Sequence, residues 1–250
     1  HGENPQFSAF GCLIGYMNRV CHLINGGISL PDVAVLYHAE NEWAGDYQSD
    51  KAVCRELMEH QIDFDIIPAD LLGNLSDWNS CLKDGQLWLN GRPVQALVIP
   101  YAQFIPRAAA DFIRQAEQCG FSVFCTEKAP EGVSNLDAGQ QADYTHLLQN
   151  IPVVPTHQLA ARLNDTIHRD ISVHPDFRRL TVYHYRSDGD ILLLLNEDPG
   201  KTFTGEVTVC ADGMPVQYDA LDNCLRPVTS RTEDGKTVLS LSLAPLEMAI

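Results

Sequence analysis

The chain has 250 residues, of which 45% are hydrophobic and 20% are charged, so a largely disordered protein is not expected. Its 33 acidic residues against 17 Lys and Arg give a formal net charge of −16. Phosphate backbones are bound by clustered cations, which release counterions, so this charge argues against nucleic acids and anionic membrane surfaces as partners. No apolar run approaches the roughly 20 residues that span a bilayer, and the length predicts two domains.

The eight cysteines resemble neither a zinc module nor a disulfide framework. None belongs to a C-x-x-C pair, and most lie in apolar stretches such as FSVFC and VTVC. We therefore expect mostly buried, reduced thiols that pack as small hydrophobic residues. The lack of a disulfide framework favours a cytoplasmic location.

The first 170 residues alternate between helical and strand patterns. A helix is predicted within residues 7–25, with Gly26 and Gly27 as its stop signal; its spaced apolar residues are Phe10, Leu13, Ile14, Met17, Cys21 and Ile24. The patterns that follow predict, in order, a strand at 33–37, a helix from Ser49 to His60, a strand in IDFDIIPAD, a hairpin at Asn90-Gly91, a strand in ALVIP, a helix from Pro106 to Gly120, a strand in FSVFC and a helix near 156–168. Strands that alternate with helices indicate a parallel sheet flanked by helices.

After about residue 170 the pattern changes to short β-type runs without helical periodicity. The runs are RLTVYHYR, DILLLLNE, GEVTVC, PVQYDA and TVLSLSLAP, and the Asp-Gly pairs at 188, 212 and 234 are turn signals. Five or more antiparallel strands in about 80 residues are typical of a small β-sandwich. The sequence thus predicts an α/β plus all-β fold: a flavodoxin-like parallel sheet flanked by helices, then a small antiparallel β-sandwich.

The loop after the first strand of the sheet is the strongest candidate for a binding site. Ligands of such sheets bind at the carboxyl ends of the strands. In residues 38–48 this loop carries His38, Glu40, Glu42 and Trp43, followed by Asp46 and Tyr47. Carboxylates accept hydrogen bonds from sugar hydroxyls, and an aromatic ring stacks on a sugar face. A solvated acidic loop with Trp43 packed on a neighbouring element is the equally weighted alternative.

Other chemistry has less support in the sequence. Dinucleotide, P-loop and α/β-hydrolase motifs are missing, so no cofactor is expected, and the histidines form no set with metal-ligand spacing. In an extended loop the side chains of Glu40 and Glu42 would lie on the same face. This geometry would allow them to act as a catalytic pair, but it is not sufficient to assign that role. Cys125 ends a strand and could serve as an amidotransferase-type nucleophile, although Pro130 and Gly132 stand where the required helix should begin.

Three segments resemble the accessory region of large bacterial glycoside hydrolases. They are YMNRVCHLINGGISLPDVAVLYHAENEWAG, MEHQIDFDIIPADLL and LVIPYAQFIPRAAADFIRQAEQCGFSVFCTE. The tail is similar to the closing β-domain of the same enzymes in YHYRSDGDILLLLNEDPGKTFTGEVTV, PVQYDALDNCLRPV and LSLSLAPLEMAI. The enzymes concerned are β-galactosidase A-type, α-L-rhamnosidase-like and family-2-like proteins, and the resemblance covers nearly the whole chain.

The resemblance implies a domain plan. Residues 1–30 would be a helical lead-in from an upstream (β/α)₈ barrel, residues 31–170 a flavodoxin-like domain related to class I glutamine amidotransferases, and residues 171–250 the β-sandwich. The chain starts at His1 rather than Met, which fits a piece of a longer protein. A complete barrel needs about 250 residues by itself, so the catalytic carboxylates are expected outside this chain and no catalytic residue is assigned.

The resulting function is the non-catalytic C-terminal portion of a glycoside hydrolase, which supports the barrel and lines its sugar cleft with His38, Glu40, Glu42 and Trp43. The expected partner is a carbohydrate substrate, bound by the full-length enzyme. No nucleic acid, membrane, cofactor or metal is expected, and the sequence leaves the formation of a homo-oligomer undecided. The alternatives are a free-standing carbohydrate-binding module that uses Trp43, Tyr47, Tyr183 or Tyr185, and a Cys125-dependent amidotransferase-like hydrolase.

Overall fold

The computed structural model describes residues 4–37, 39–211 and 213–250. Its contacts divide the chain into two units. One unit is Pro31–Arg169, here called the α/β unit; the other, here called the β unit, combines Asp170–Ile250 with the described part of the segment that precedes Pro31. No helix among the described residues is long and apolar enough to span a membrane.

The helices and strands of the described residues are as follows. The α-helices are α1 (Phe10–Leu23), α2 (Asp50–Glu59), α3 (Ala69–Gly73), α4 (Arg107–Cys119), α5 (Ala138–Asn150) and α6 (Leu159–Asn164). Short 3₁₀ helices span Phe7–Ala9, Ala39–Trp43, Leu75–Trp78 and Thr156–Gln158. The strands are β1 (Ile28–Ser29), β2 (Val33–Tyr37), β3 (Phe64–Pro68), β4 (Cys81–Lys83), β5 (Gln86–Leu89), β6 (Arg92–Val94), β7 (Ala96–Ile99), β8 (Phe104–Ile105), β9 (Ser122–Thr126), β10 (Gly132–Val133), β11 (Val153–Val154), β12 (Ile171–His174), β13 (Leu180–Arg186), β14 (Asp190–Asn196), β15 (Phe203–Val209), β16 (Val216–Asp219), β17 (Cys224–Pro227), β18 (Thr229–Glu233), β19 (Lys236–Leu243) and β20 (Met248–Ala249).

The α/β unit is built on a five-stranded parallel sheet in the order β3-β2-β7-β9-β11. Numbered along the chain, these strands run 2-1-3-4-5 across the sheet, which is the flavodoxin-like order. The predicted fold class, α/β plus all-β, is therefore confirmed. A three-stranded antiparallel sheet, β4-β5-β6, and a short parallel pair, β8 with β10, complete the unit.

Strand β2, an interior strand between β3 and β7, explains why helices cover both faces of this sheet. Successive side chains of a strand point to opposite faces, and the residues from Val33 to Leu36 are fully buried. Val33 and Val35 belong to a hydrophobic cluster with α2 and α6, whereas Ala34 and Leu36 belong to a second cluster with α4 and α5. A strand that is apolar on both faces needs cover on both, which the two helical layers provide.

The predicted hairpin at Asn90-Gly91 is present between β5 and β6. Both residues have positive φ, 48° at Asn90 and 79° at Gly91, as a tight two-residue hairpin turn requires. Gly120, with φ of 71°, ends α4 in the left-handed conformation and lets the chain turn into β9. These local signals set the turns that the tertiary structure uses.

Helix α5 was absent from the sequence prediction. It starts with a capping box in which Asp137 accepts a hydrogen bond from the Gln140 N–H and the Gln140 side chain accepts one from Asp137. Of its thirteen residues only Tyr144 and Leu148 are buried. Two buried residues are too few to reveal a helix by hydrophobic periodicity. The Asp137–Gln140 capping box was the sequence signal that could have predicted this helix.

The β unit contains two four-stranded antiparallel sheets. Their orders are β1-β13-β14-β20 and β12-β15-β19-β18, and a separate hairpin joins β16 to β17. One hydrophobic cluster takes Leu180 and Leu194 from the first sheet and Phe203, Val207 and Leu243 from the second. The two sheets therefore share one core, in the arrangement of a β-sandwich.

Helix α1 forms where predicted, but its apolar stripe is not buried. Phe10, Leu13 and Met17 are about half exposed, and none of the residues of α1 is buried. The contacts with the sheets of the β unit come from residues beside this stripe: the Tyr16 hydroxyl lies 3.9 Å from the Met248 sulfur, and Arg19 Nε donates to the Ala220 carbonyl. The periodicity therefore identified the helix correctly, whereas the packing of the β unit leaves its apolar side open.

The expectation of mostly buried thiols is wrong. All eight cysteines are free, and only Cys125 is buried. Cys54 and Cys210 are partly buried, and the exposed ones are Cys12, Cys21, Cys81, Cys119 and Cys224. An apolar local sequence was a poor guide because exposure depends on which face of each element the tertiary structure covers.

Asp63 is the most strongly perturbed carboxyl group at the amino edge of the parallel sheet. Its Oδ1 accepts a hydrogen bond from the Phe64 N–H at 2.9 Å, but its Oδ2 is buried and has no hydrogen-bond partner among the described residues. Burial, with the nearby charges of Asp32 and Asp65, raises the pKa of Asp63 to about 7 against the opposing effects of the Phe64 N–H and Arg92.

This raised pKa predicts a fall in stability with rising pH. Between about pH 4 and pH 7 the folded chain keeps a proton on Asp63 that the unfolded chain has lost. The free energy of unfolding should therefore decrease through that window, and D63N should remove the decrease. At pH 8 we expect D63N to be more stable than the wild type by up to about 4 kcal/mol, with little difference at pH 4.

Chemical denaturation at several pH values measures this effect. The matched control is E117Q, which neutralises an exposed carboxylate on α4. Equal pH profiles for D63N and the wild type would contradict the prediction.

Candidate functional site

The carboxyl ends of the parallel strands bring several loops to one edge of the α/β unit. Strand β2 leads into the 3₁₀ helix Ala39–Trp43, and β7 leads into residues 100–103. Tyr47 and Ala102 form an isolated antiparallel bridge, so the two loops run side by side. This edge is where sheets of this topology bind ligands, and it is the candidate site.

The four predicted site residues have different outcomes. His38 lies outside the described residues. Glu40 and Glu42 are exposed on the 3₁₀ helix, and Trp43 is 85% exposed. The premise of an extended loop that puts both glutamates on one face is wrong, since a 3₁₀ helix turns about 120° per residue and directs positions i and i+2 apart.

Trp43 is consequently not packed on a neighbouring element. An indole with this exposure offers a flat apolar face to solvent, and the glutamates beside it offer hydrogen-bond acceptors. Tyr47, 45% exposed, adds a second ring on the same loop. The surface has the groups that stacking and hydroxyl recognition use, and the two carboxylates described on it, Glu40 and Glu42, are exposed rather than enclosed as a pair for acid–base catalysis.

Asn41 is the inward-facing residue of the loop. It is 1% exposed, and both polar atoms of its amide lack a hydrogen-bond partner among the described residues. Its own carbonyl accepts a hydrogen bond from the Ala44 N–H at 3.1 Å, which closes the 3₁₀ turn. Because an unsatisfied buried amide costs free energy, this position is the one in the loop where a bound water or ligand group would be favoured.

Gln48 ties the loops of the carboxyl edge together. Its Nε2 donates to the Thr156 hydroxyl at 2.7 Å, and its Oε1 accepts from the Thr126 hydroxyl. The Tyr101 N–H donates to Thr126 Oγ1 at 3.1 Å, while the Gln48 N–H donates to the Tyr101 carbonyl at 2.7 Å. A single amide thus joins loops that follow three different strands, which fixes the base of the site.

Two further links surround this network. Glu127 Oε1 accepts from the Thr156 N–H at 2.8 Å, and the hydrogen bonds from Thr156 keep the pKa of Glu127 below its usual value. The Asp46 carbonyl accepts from the Gln103 N–H at 2.7 Å, and Gln103 Nε2 donates to Glu131 at 2.8 Å. Apart from the Asn41 amide, the polar groups named here are hydrogen-bonded to one another, as in structural loops.

The environment of Cys125 argues against a nucleophilic role. Its side chain is fully buried in the core of the sheet, and burial raises the pKa of the thiol to about 12. A nucleophilic cysteine needs an accessible thiolate with a lowered pKa. At neutral pH Cys125 is a protonated, inaccessible core residue.

The sequence analysis missed Asn41, Gln48, Tyr101, Thr126 and Thr156 as parts of this edge. No local pattern distinguishes these polar residues from ordinary loop residues. They meet only because parallel strands place the loops that follow them at one edge. The rule that loops after parallel strands meet at one edge of the sheet could have predicted that these residues lie near one another. It could not have predicted the hydrogen bonds of Gln48.

No family model and no curated protein matches this chain. Several solved structures are similar to it, and they are glycoside hydrolases. A rhamnosidase from Novosphingobium sp. PP1Y superposes with a TM-score of 0.69 at 17% identity over 95% of this chain. The likeness at this level of identity is one of fold.

Two other structures are more distant. The α-L-fucosidase isoenzyme 2 from Paenibacillus thiaminolyticus gives a TM-score of 0.55 at 11% identity, covering 93% of this chain and 50% of its own. A GH42 β-galactosidase from G. stearothermophilus gives 0.55 at 10% identity, covering 100% of this chain and 44% of its own. The present chain spans 24% of the rhamnosidase, about a quarter of its length.

The burial of Cys125 predicts its chemical behaviour. In the folded protein at pH 8, iodoacetamide should modify the exposed Cys81, Cys119 and Cys224 but leave Cys125 unmodified. Burial raises the pKa of the Cys125 thiol well above this pH, so the thiol stays protonated, and the side chain is inaccessible.

Peptide mass spectrometry after timed alkylation checks this expectation. The same reaction in denaturant is the control, in which Cys125 should react like the others. Alkylation of Cys125 in the folded protein as fast as Cys81 would restore the nucleophile hypothesis.

Proposed function

We propose that this chain is the non-catalytic accessory region of a glycoside-hydrolase-related protein. The observation that carries the proposal is the extent of the structural likeness: it runs over 95% of this chain, through both units, yet over only 24% of the rhamnosidase. A region that is shared as a whole and makes up a minor part of a larger enzyme fits an accessory role.

The geometry of the α/β unit supports the non-catalytic part of the proposal. Its five parallel strands form an open sheet, not the closed eight-stranded barrel that glycosidases of the resembled type use for catalysis. At the carboxyl edge, Gln48 and its partners are engaged in structural hydrogen bonds, and Cys125 is buried. We infer that the catalytic carboxylates lie on another part of the full-length protein.

Within this proposal the loop of residues 38–43 faces the sugar cleft of the full-length enzyme. Glu40 and Glu42 would accept hydrogen bonds from sugar hydroxyls, and Trp43 would stack on a ring; His38, which lies outside the described residues, is part of the same proposal. The exposure of Trp43 and the two glutamates supports this role, because groups that bind a ligand from another domain must be open on this one.

A free-standing carbohydrate-binding module is the second candidate. Two observations favour it: Trp43 is 85% exposed and Tyr47 is 45% exposed on the same loop. Rigid aromatic platforms of this kind bind sugars without help from a second domain. The two candidates differ in whether the 250-residue chain binds sugar by itself.

Turnover and binding assays on the chain separate these possibilities. We expect no release of nitrophenol from nitrophenyl α-L-rhamnoside, α-L-fucoside or β-galactoside, because the proposal places the catalytic carboxylate pair outside this chain. In titrations followed by tryptophan fluorescence, we expect no saturable response to the corresponding oligosaccharides, because one loop supplies only part of a cleft.

The variants W43A, E40Q and E42Q test whether the residues of this loop are responsible for any turnover or binding that is observed. Turnover that disappears in E40Q or E42Q would overturn the proposal in favour of a catalytic chain. Saturable binding that disappears in W43A, with W78A as the matched control, would favour the free-standing module. W78A replaces another exposed tryptophan, which belongs to a different segment, the 3₁₀ helix Leu75–Trp78.

A further inference from the structure

Helix α1 carries an apolar stripe that no described part of the chain covers. Phe10, Leu13, Ile14 and Met17 are each between 38% and 52% exposed, and Cys21, two turns beyond Leu13, is exposed as well. A single exposed apolar side chain is ordinary on a protein surface. A continuous row of them along one helix is typical of a contact surface.

Residues outside the stripe fix α1 to the sheets and hairpin of the β unit. The Tyr16 hydroxyl contacts the Met248 sulfur, and the Arg19 guanidinium donates to the carbonyls of Ala220 at 2.6 Å and Leu221 at 3.0 Å. At 3.6 residues per turn, Tyr16 and Arg19 lie roughly 110° and 170° around the helix axis from the centre of the stripe. The unit therefore holds the helix in place by contacts that leave the stripe open.

The spacing and the charge of this segment indicate an apolar helix as its partner. Phe10, Ile14, Met17 and Cys21 follow one another at intervals of four, three and four residues. This alternation is the one by which two helices pack at a shallow crossing angle. Residues 4–30 contain no Asp or Glu, although the whole chain has 33 acidic residues. A helix whose outer face meets only water usually carries charged side chains there.

The size of the stripe favours a partner in the same polypeptide over a separate protein. Phe7 extends the stripe, since its ring stacks on that of Phe10 with the centroids 6.4 Å apart. The exposed parts of these large side chains amount to on the order of 450 Å². Stable complexes between separate proteins bury about 800 Å² on each partner. A smaller contact is sufficient within one polypeptide, because the covalent link gives it an effective concentration of about a millimolar.

We propose that the apolar stripe of α1 docks on a helix of the catalytic part of the full-length protein. The inference rests on the proposed function, which places that part outside this chain. The region that matches this chain is 24% of the rhamnosidase, so most of such an enzyme lies outside the matched region. Docking removes the aromatic and aliphatic side chains of the stripe from water, and this burial is its driving force. Through α1, the β unit fixes the accessory region to the catalytic part.

Two exposed cysteines of α1 report on this docking. Cys21 belongs to the stripe, whereas Cys12 precedes it by nine residues and so lies half a turn away around the helix axis. The rate of alkylation by iodoacetamide is measured for both thiols by peptide mass spectrometry, in the 250-residue chain and in the full-length protein. We expect Cys21 to react at least about tenfold more slowly in the full-length protein, because docking removes it from solvent. Cys12, the matched control, should react at similar rates in both proteins.

Two variants test whether the stripe itself is responsible. L13E places a charge within the stripe, and N18E places the same charge at an exposed position of α1 outside it. In the full-length protein, L13E should restore rapid alkylation of Cys21, and N18E should leave Cys21 protected. In the 250-residue chain neither substitution should change the melting temperature, because both positions are exposed and neither makes the contacts of Tyr16 and Arg19.

Several results would overturn the docking. They are equal alkylation of Cys21 in the two proteins, equal protection of Cys12 and Cys21 in the full-length protein, and a gene that encodes these 250 residues alone. A dimer of the 250-residue chain, seen by light scattering and abolished by L13E, would assign the stripe to a second copy instead.

Glycosidase assays separate this inference from the proposed function. Turnover by a full-length protein in which Cys21 stays reactive would contradict the docking alone. Protection of Cys21 in a full-length protein without turnover would leave the docking in place and contradict the glycoside-hydrolase function.

Discussion

The α/β unit depends on the burial of the interior parallel strand β2 from both sides. Val33–Leu36 is fully buried, and its side chains point alternately into two separate hydrophobic clusters. Neither cluster forms without a helical layer on its face of the sheet, so the order of strands and helices along the chain follows from this requirement. The parallel direction in turn places every loop that follows a strand at one edge, which is why a single edge collects the candidate site.

At the carboxyl edge of the sheet, some residues hold the loops in place and others are exposed to solvent. Gln48 joins loops that follow three strands, and its partners Thr126 and Thr156 are also bound to neighbouring loops. Trp43, in contrast, makes no comparable structural contact and is open to solvent. A fixed base that carries exposed side chains is suited to present those side chains to a ligand. Cys125, the nucleophile considered from the sequence, is buried beneath this edge and its thiol pKa is raised.

The β unit follows a different principle. Its two sheets share a core, but α1 and the hairpin β16-β17 stand apart enough to leave a groove of about 740 Å³. The apolar face of α1, with Phe10 and Met17 about half exposed, is a second surface that this unit does not cover. Because burial of apolar surface stabilises a fold, both features are places where the packing of this unit leaves apolar surface exposed.

Local patterns in the sequence were sufficient for the fold class and for most elements. Alternation of apolar runs with helical periodicity predicted the strands β2, β7 and β9 and the helices α2 and α4, and Asn90-Gly91 predicted its hairpin turn, because these signals act over a few residues. Only the tertiary structure decided which side chains are exposed and which distant residues are in contact. In the tertiary structure the apolar stripe of α1 is exposed to solvent, and Glu40 and Glu42 lie in a 3₁₀ helix. Gln48 forms hydrogen bonds with Thr126 and Thr156. Such contacts join residues up to about a hundred positions apart, and no local sequence signal encodes a distance of that kind.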